Sequence, residues 1–370
     1  MDSKKLKYSL IILAIGLLTG FALTFWLVPD NPYIPGNDKA GLETGELDAK
    51  YKYNIEEYKK VDPKLVLYGE YAAENHGGNS VDECGMNNKL NSTRRNSGRK
   101  SAEVHKELPG FKTEFDAATG IVIDKKDRIY ICGDTGVKTF DANGKLLSEI
   151  PTVKKVTAIA VMGTGIIYAA LQDVVYKDVN RSFGKKGKAP GEFEYITSMK
   201  INGGRLFIAD AGNRRVSVFD LNGKYLYEFG RKDAAKGIKG FIIPSPHMDL
   251  DFDKDGNLWV ANTGMLRLEK YSPQGVLLFT WGKAGSKLEE FIGCCNPANF
   301  AIMSDGSFIT SEKGLPRIKL YGKTGKFIGV VAPPSSFNEK CINMALAVDS
   351  KNRVYALDSA EKKVRIFERK

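Results

Sequence analysis

The sequence predicts an all-β fold, a six-bladed β-propeller preceded by one membrane-spanning helix. Three observations predict it. A β-rich unit recurs six times, a glycine-containing hairpin turn recurs at one place within that unit, and a single uncharged apolar run lies near the N-terminus.

The recurring unit is an apolar strand, an acidic or glycine turn, and a short strand centred on an aromatic. Its clearest copies are Gly120-Ile-Val-Ile-Asp-Lys-Lys-Asp-Arg-Ile-Tyr130, Asp249-Leu-Asp-Phe-Asp-Lys-Asp-Gly-Asn-Leu-Trp259 and Ala345-Leu-Ala-Val-Asp-Ser-Lys-Asn-Arg-Val-Tyr355. The other copies end at Tyr168, Phe207 and Ile309, and the six are spaced by 38, 39, 52, 50 and 46 residues. That period suits one propeller blade of four strands. In the third copy, alternation and punctuation place the inner strand at 196–201, the second at 205–209, the third at 216–220 and the outer at 225–229. Asn222-Gly223 is the hairpin turn between the last two, and its counterparts are Asp141-Ala-Asn-Gly144, Ser272-Pro-Gln-Gly275 and Gly322-Lys-Thr-Gly325.

The stretch Leu206-Phe-Ile-Ala-Asp-Ala-Gly-Asn-Arg-Arg-Val-Ser-Val-Phe-Asp-Leu-Asn-Gly223 closely resembles the NHL repeat, and Leu258-Trp-Val-Ala-Asn-Thr-Gly264 is similar to it. The resemblance spans about residues 110–370 and is weakest over 156–195. With Phe291-Ile-Gly-Cys-Cys-Asn-Pro297, the chain looks like a bacterial membrane-anchored subgroup of such proteins. The resemblance implies a fold more than a function, because a propeller is a platform that hosts many chemistries.

The last blade ends with its third strand at 363–367. An upstream segment must supply the fourth, since an unpaired edge invites wrong pairing. Residues 64–71 alternate suitably and are expected to close the ring. Residues 75–107, rich in Asn, Ser and Gly and carrying Lys89, Arg94, Arg95, Arg99 and Lys100, read as a mobile insert.

Residues 8–28 are 21 residues without a charge, long enough at about 1.5 Å each to cross a hydrocarbon core of about 30 Å. Lys4, Lys5 and Lys7 precede them, so residues 1–7 are expected in the cytosol and the rest outside. The run exceeds a signal-peptide core and no Ala-x-Ala site follows it, so an uncleaved anchor is expected. Residues 29–63, with several Pro and Gly and then a charged stretch able to hold a short helix, form a linker.

The formal charge is +11, from 55 Lys and Arg against 44 Asp and Glu. No basic helix or aromatic-basic array of a nucleic-acid module is present. An acidic envelope protein or extracellular polymer is the expected partner.

The loops joining second to third strands share a face with those entering the inner strands. They carry Asp134, Asp210, Asn262, Glu312 and Asp358, followed four residues on by Lys138 in the first copy and five residues on by Arg215, Arg267, Arg317 and Lys363 in the others. Such a ring either pairs internally to stitch blades together or recognises a ligand. Arg215, His247, Arg267, Glu312, Arg317 and Asp358 form the candidate binding face.

Metal-dependent propeller enzymes need converging His, Asp or Glu ligands. The chain has only His76, His105 and His247, and the positions matching His247 are Ala118, Ala298 and Asn343. A Ca²⁺ site near Asp249 and Asp251 stays open, although Asp251 is expected to face a sheet neighbour or solvent. Cys294, Cys295 and Cys341 precede inner strands of adjacent blades, so a disulfide or a soft-metal site is open to them, whereas Cys132 matches Ala209 and Ala261 and is expected in the core. No cofactor is implied. The expected function is extracytoplasmic binding or scaffolding, with a redox or metal protein using the cysteines as the alternative and a lyase or hydrolase third.

Overall fold

The computed structural model describes residues 103–177, 181–236, 238–338 and 340–370. The expected tail, the span 8–28, the linker 29–63 and the stretch 64–71 lie outside them, as does the insert up to residue 102. No helix among the described residues is long and apolar enough to cross a membrane.

The described residues form six antiparallel sheets of four strands. Inner strands of successive blades lie side by side around the ring, with blade 6 beside blade 1. The inner strands are Ala118–Ile123, Ala158–Val161, Ile196–Asn202, Leu250–Phe252, Asn299–Ile302 and Ala345–Val348. Blade 3 follows the expected register, with Arg205–Asp210, Arg215–Asp220 and Tyr225–Phe229 outside its inner strand.

Two local devices explain the sequence period. The first is the acidic turn after the inner strand. Asp124 accepts from the backbone N–H of Lys126 (2.9 Å) and Arg128 (3.0 Å) and from the Tyr130 hydroxyl (3.1 Å). Asp349 does the same with Lys351, Arg353 and Tyr355, and Asp253 with Asp255, Asn257 and the Trp259 indole N–H. One carboxylate thus closes the turn and anchors the aromatic of the next strand. The residue three after the Asp is left-handed, at φ 57° for Asp127, 79° for Gly256 and 59° for Asn352, and Asp, Gly and Asn tolerate that region best.

The second device joins blades. A Cβ on Gly144, Gly223, Gly275 or Gly325, the hairpin glycines, would strike Phe111, Phe183, Phe229 or Trp281 respectively. Each of those aromatics lies in the outer strand of the preceding blade, and the bare glycine lets it lie flat on the turn. Between blades the core divides into six apolar clusters, one per interface. Cys132 is fully buried in one of them, as expected of a small core residue, and burial pushes its thiol up to about 11.

The closing strand corrects the sequence reading. His105–Lys112 is the outer strand of blade 6, pairing with Lys363–Arg369, so residues 64–71 do not hold that place. Residues 105–107, expected in the mobile insert, are part of this strand. Pro109-Gly110 reads as a turn in sequence. Here it sits where the register shifts between Leu108 and Phe111, and an edge strand tolerates a proline at such an irregularity. Arg365 clamps the seam, donating from Nε and Nη2 to the two carboxylate oxygens of Glu107 at 2.7 and 2.6 Å.

His105 at the seam is 2% exposed, and neither ring nitrogen has a hydrogen-bond partner. Burial, helped by Arg369 and Lys370, lowers its pKa from 6.5 to about 4. The unfolded chain therefore binds a proton between pH 6.5 and 4 that the fold refuses, so stability falls as pH drops through that window. The urea midpoint of His105→Phe is expected to lose part of that decline, and parallel profiles for variant and parent would contradict the assignment.

Candidate functional site

On the loop face, three members of the basic ring, Lys138, Arg215 and Arg317, are buried, whereas Arg267 and Lys363 keep part of their side chains exposed. Arg215 is 0% exposed. Its guanidinium pairs with Asp210 (3.2 Å) and Glu228 (2.5 Å) and donates to the carbonyls of Lys188, Ala189 and Glu192 at 3.3, 3.1 and 2.6 Å. Asp210 in turn accepts from the backbone N–H of Glu194 and Tyr195. The loop entering blade 3 is thereby tied down by one charged pair.

Blade 5 repeats the arrangement with two cations. Arg317 pairs with Glu312 at 2.9 Å, and Lys319 pairs with the same carboxylate. Lys319 donates to the carbonyls of Leu288 (3.2 Å) and Glu290 (2.8 Å), and Arg317 also reaches Glu290. Burial drives the Lys319 ammonium down to about 7 against the attraction of Glu312. In blade 4, Arg267 pairs with Glu269 in its own strand, and Asn262 donates to that carboxylate at 3.0 Å. In blade 6, Asp358 accepts from the Glu361 N–H, and burial raises its pKa.

Of the candidate binding face, Arg215, Glu312 and Asp358 are 0% exposed and Arg317 is 6% exposed, so these four contact protein and not solvent. The alternative of internal stitching accounts for them. The loops they hold share a pattern that the sequence reading passed over, Phe183-Gly-Lys-Lys-Gly-Lys-Ala-Pro-Gly-Glu-Phe193 and Trp281-Gly-Lys-Ala-Gly-Ser-Lys-Leu-Glu-Glu-Phe291. Glu192 and Glu290 each accept from the N–H three residues earlier and pair with Lys185 and Lys283 at 3.2 Å.

The inner strands enclose a small cavity of about 50 Å³ lined in part by Thr119, Thr157, Ser198, Lys200, Asp249 and Asn299. Lys200 pairs with Asp251 at 3.0 Å, and Ser198 donates to Asp249 at 2.7 Å. The second oxygens of Asp249 and Asp251 accept from Phe300 N–H (3.1 Å) and Ile302 N–H (2.9 Å) on the next inner strand. Asp251 therefore faces a sheet neighbour, as expected. Burial raises the Asp249 pKa in spite of Lys200, whereas Asp251 and Asp249 together outweigh burial and hold Lys200 above the usual lysine value. An ammonium already stands beside Asp251, which disfavours Ca²⁺ there. Elsewhere, His247 Nδ1 lies 3.2 Å from the Asn343 amide nitrogen, joining two positions that the sequence aligns in different blades.

Cys294 and Cys295 place their sulfur atoms 3.0 Å apart. Cys341 is buried in the cluster between blades 5 and 6. Among the described residues no cysteine is in a disulfide, and no group of three or more His, Cys, Asp or Glu has metal-holding geometry. Cys295 and Cys341 are both buried, and Cys294 is part-exposed.

Comparison with solved structures finds propellers. A gluconolactonase from Xanthomonas campestris aligns with a TM-score of 0.52 at 12% identity, over 72% of this chain and 90% of that one. Virginiamycin B lyase from Staphylococcus aureus aligns at 0.48 and 14%, over 72% and 87%, and a streptogramin B lyase at 0.49 and 10%, over 72% and 97%. The chain is a six-bladed β-propeller. At these identities the likeness is one of fold. No protein-family model matches the chain, and comparison with curated proteins finds no match.

Proposed function

We propose that this propeller is an NHL-type binding module, anchored by residues 8–28 with its blades outside the cytosol, and that it takes an extended segment of an envelope protein along the outer edge of blade 4. One observation carries the reading. Val276, Leu277, Leu278 and Phe279 are 59%, 48%, 51% and 43% exposed, consecutive in and beside the outer strand Leu277–Trp281. An edge strand that is apolar on both faces offers its free backbone groups to a pairing strand and its side chains to apolar pockets. The positive formal charge favours an acidic partner.

In the full-length membrane protein, a photo-crosslinker at Val276 is expected to give one adduct of defined mass. Leu278→Arg should abolish the adduct while leaving the melting temperature unchanged. An equal adduct from Leu147 in blade 1, or persistence in the variant, would defeat the reading. The anchored topology predicts an active alkaline phosphatase when fused after Lys370.

A second reading, a lyase or hydrolase, is favoured by the convergence of Ser198, Lys200 and Asp249 on one cavity. A carboxyl with a raised pKa beside a cation suits proton transfer. Turnover of a lactone panel that disappears in Asp249→Asn and survives in Leu278→Arg would establish it.

A further inference from the structure

The loop Phe291-Ile-Gly-Cys-Cys-Asn-Pro297 has no part in the binding reading, yet it is held in one conformation. Asn296 donates through Nδ2 to the carbonyls of Ile292 and, at 3.1 Å, Lys313, and its Oδ1 accepts from the Lys313 N–H at 2.7 Å. The same amide closes the chain from Ile292 round to Asn296 and bolts it to the neighbouring loop. Phe291, at one end, is 0% exposed and bonded to the Lys283 carbonyl at 2.8 Å. Ala298, at the other, donates to Ser311 at 3.0 Å. Gly293, at φ 83°, makes the turn that starts the pair.

Within this frame the two sulfur atoms stand 3.0 Å apart, about 1 Å beyond a disulfide bond of about 2.05 Å. Exposure divides them. Cys294 is part-exposed and Cys295 is 2% exposed, so an incoming reagent meets Cys294 first and finds Cys295 behind it.

We propose that Cys294 and Cys295 form a reversible two-electron dithiol couple on the loop face, oxidised by disulfide exchange. The Cys294 thiolate attacks a low-molecular-weight disulfide, forming a mixed disulfide and releasing one thiolate. The Cys295 thiolate then attacks the Cys294 sulfur, closing the vicinal bond and releasing the second. Two electrons pass from the pair to the reagent, and the two cysteine protons end on the two released thiolates. Adjacent Cα atoms sit about 3.8 Å apart across a trans peptide, short of the roughly 4.4–6.8 Å of ordinary disulfides. The bond formed is therefore strained and readily reduced, which suits a switch better than a staple.

The test uses the full-length protein in detergent, oxidised with glutathione disulfide, denatured, alkylated and digested with trypsin. Peptide 288–313 carries both cysteines and no other. It is expected to lose both alkyl adducts, to be lighter than the dithiol form by two hydrogens, and to recover both adducts after dithiothreitol. Cys295→Ser should stop at a glutathione adduct on Cys294, and Cys294→Ser should leave Cys295 unmodified in the folded protein. A bond from this peptide to the peptide of Cys84, Cys132 or Cys341 would overturn the proposal, as would a persistent glutathione adduct in the parent or two unchanged thiols. The parent peptide map decides the question even where a variant fails to fold, and circular dichroism identifies that case. Asn296→Ala should shift the redox midpoint, a readout that a merely structural amide would leave in place.

Discussion

Arg215→Ala is expected to destabilise the propeller by about 3–5 kcal/mol, the range for removing one partner of a buried ion pair. The side chain is 0% exposed, so no water stands ready to replace it. Its loss leaves Asp210 without its cation and the carbonyls of Lys188, Ala189 and Glu192 without a donor. The loop entering blade 3 should then open, and trypsin should cut first at Lys185, Lys186 or Lys188. Arg215→Lys should rescue only part of the stability, since a point charge cannot span acceptors on several sides of a planar fork. Arg317→Ala should cost less, because Lys319 still holds Glu312 and the Glu290 carbonyl. Urea unfolding at constant m-value measures all three, and a loss under about 1 kcal/mol for Arg215→Ala would contradict the clamp, being no more than an exposed ion pair contributes.

Gly110→Val is expected to prevent ring closure. A Cβ at residue 110 would lie 2.1 Å from the Val364 carbonyl oxygen, in the strand it pairs with, and backbone cannot yield as a side-chain tip can. The closing strand would be expelled and Lys363–Arg369 left as an open edge, a template for association. Gel filtration should show loss of monomer, with any soluble remainder destabilised by more than about 3 kcal/mol, in the range of severe single substitutions. Gly163→Ala, where an added Cβ meets nothing within 4 Å, should leave the elution profile unchanged. A monomeric Gly110→Val of normal stability would mean that another segment closes the ring.

The blades were legible because each strand agrees with its own turn chemistry. Asp124, Asp253 and Asp349 each close a turn and hold an aromatic six residues on, so the pattern survives variation between copies. The closing strand was not legible, because Pro109-Gly110 carries the local signal of a turn and only the partner strand reveals an irregular edge. The basic ring was visible as a spacing, but its direction was not. Arg215 and Arg317 find acids and carbonyls in loops that lie more than twenty residues away or across a strand, and Arg267 takes Glu269, which lies in its own strand and not in a loop. For the cysteines, sequence placed Cys341 close to Cys294 and Cys295 in the repeat, but its packing in the cluster between blades 5 and 6 depends on strands that only the fold brings together.

The seam between Glu107 and Arg365 joins residues 258 positions apart. At a synthesis rate of about 5–20 residues per second, the closing strand is made roughly 13–50 s before the strand it pairs with exists. Through that interval the most recently completed blade lacks a neighbour at the growing end, and His105–Lys112 is a ribbon with no ladder to join. Closure thus waits until Lys363–Arg369 has been made, a late step that local hairpins cannot shorten. A cell making this chain must keep that ribbon from pairing with a second copy until Lys363–Arg369 is available, so the first of the described strands to be made is the last to find its place.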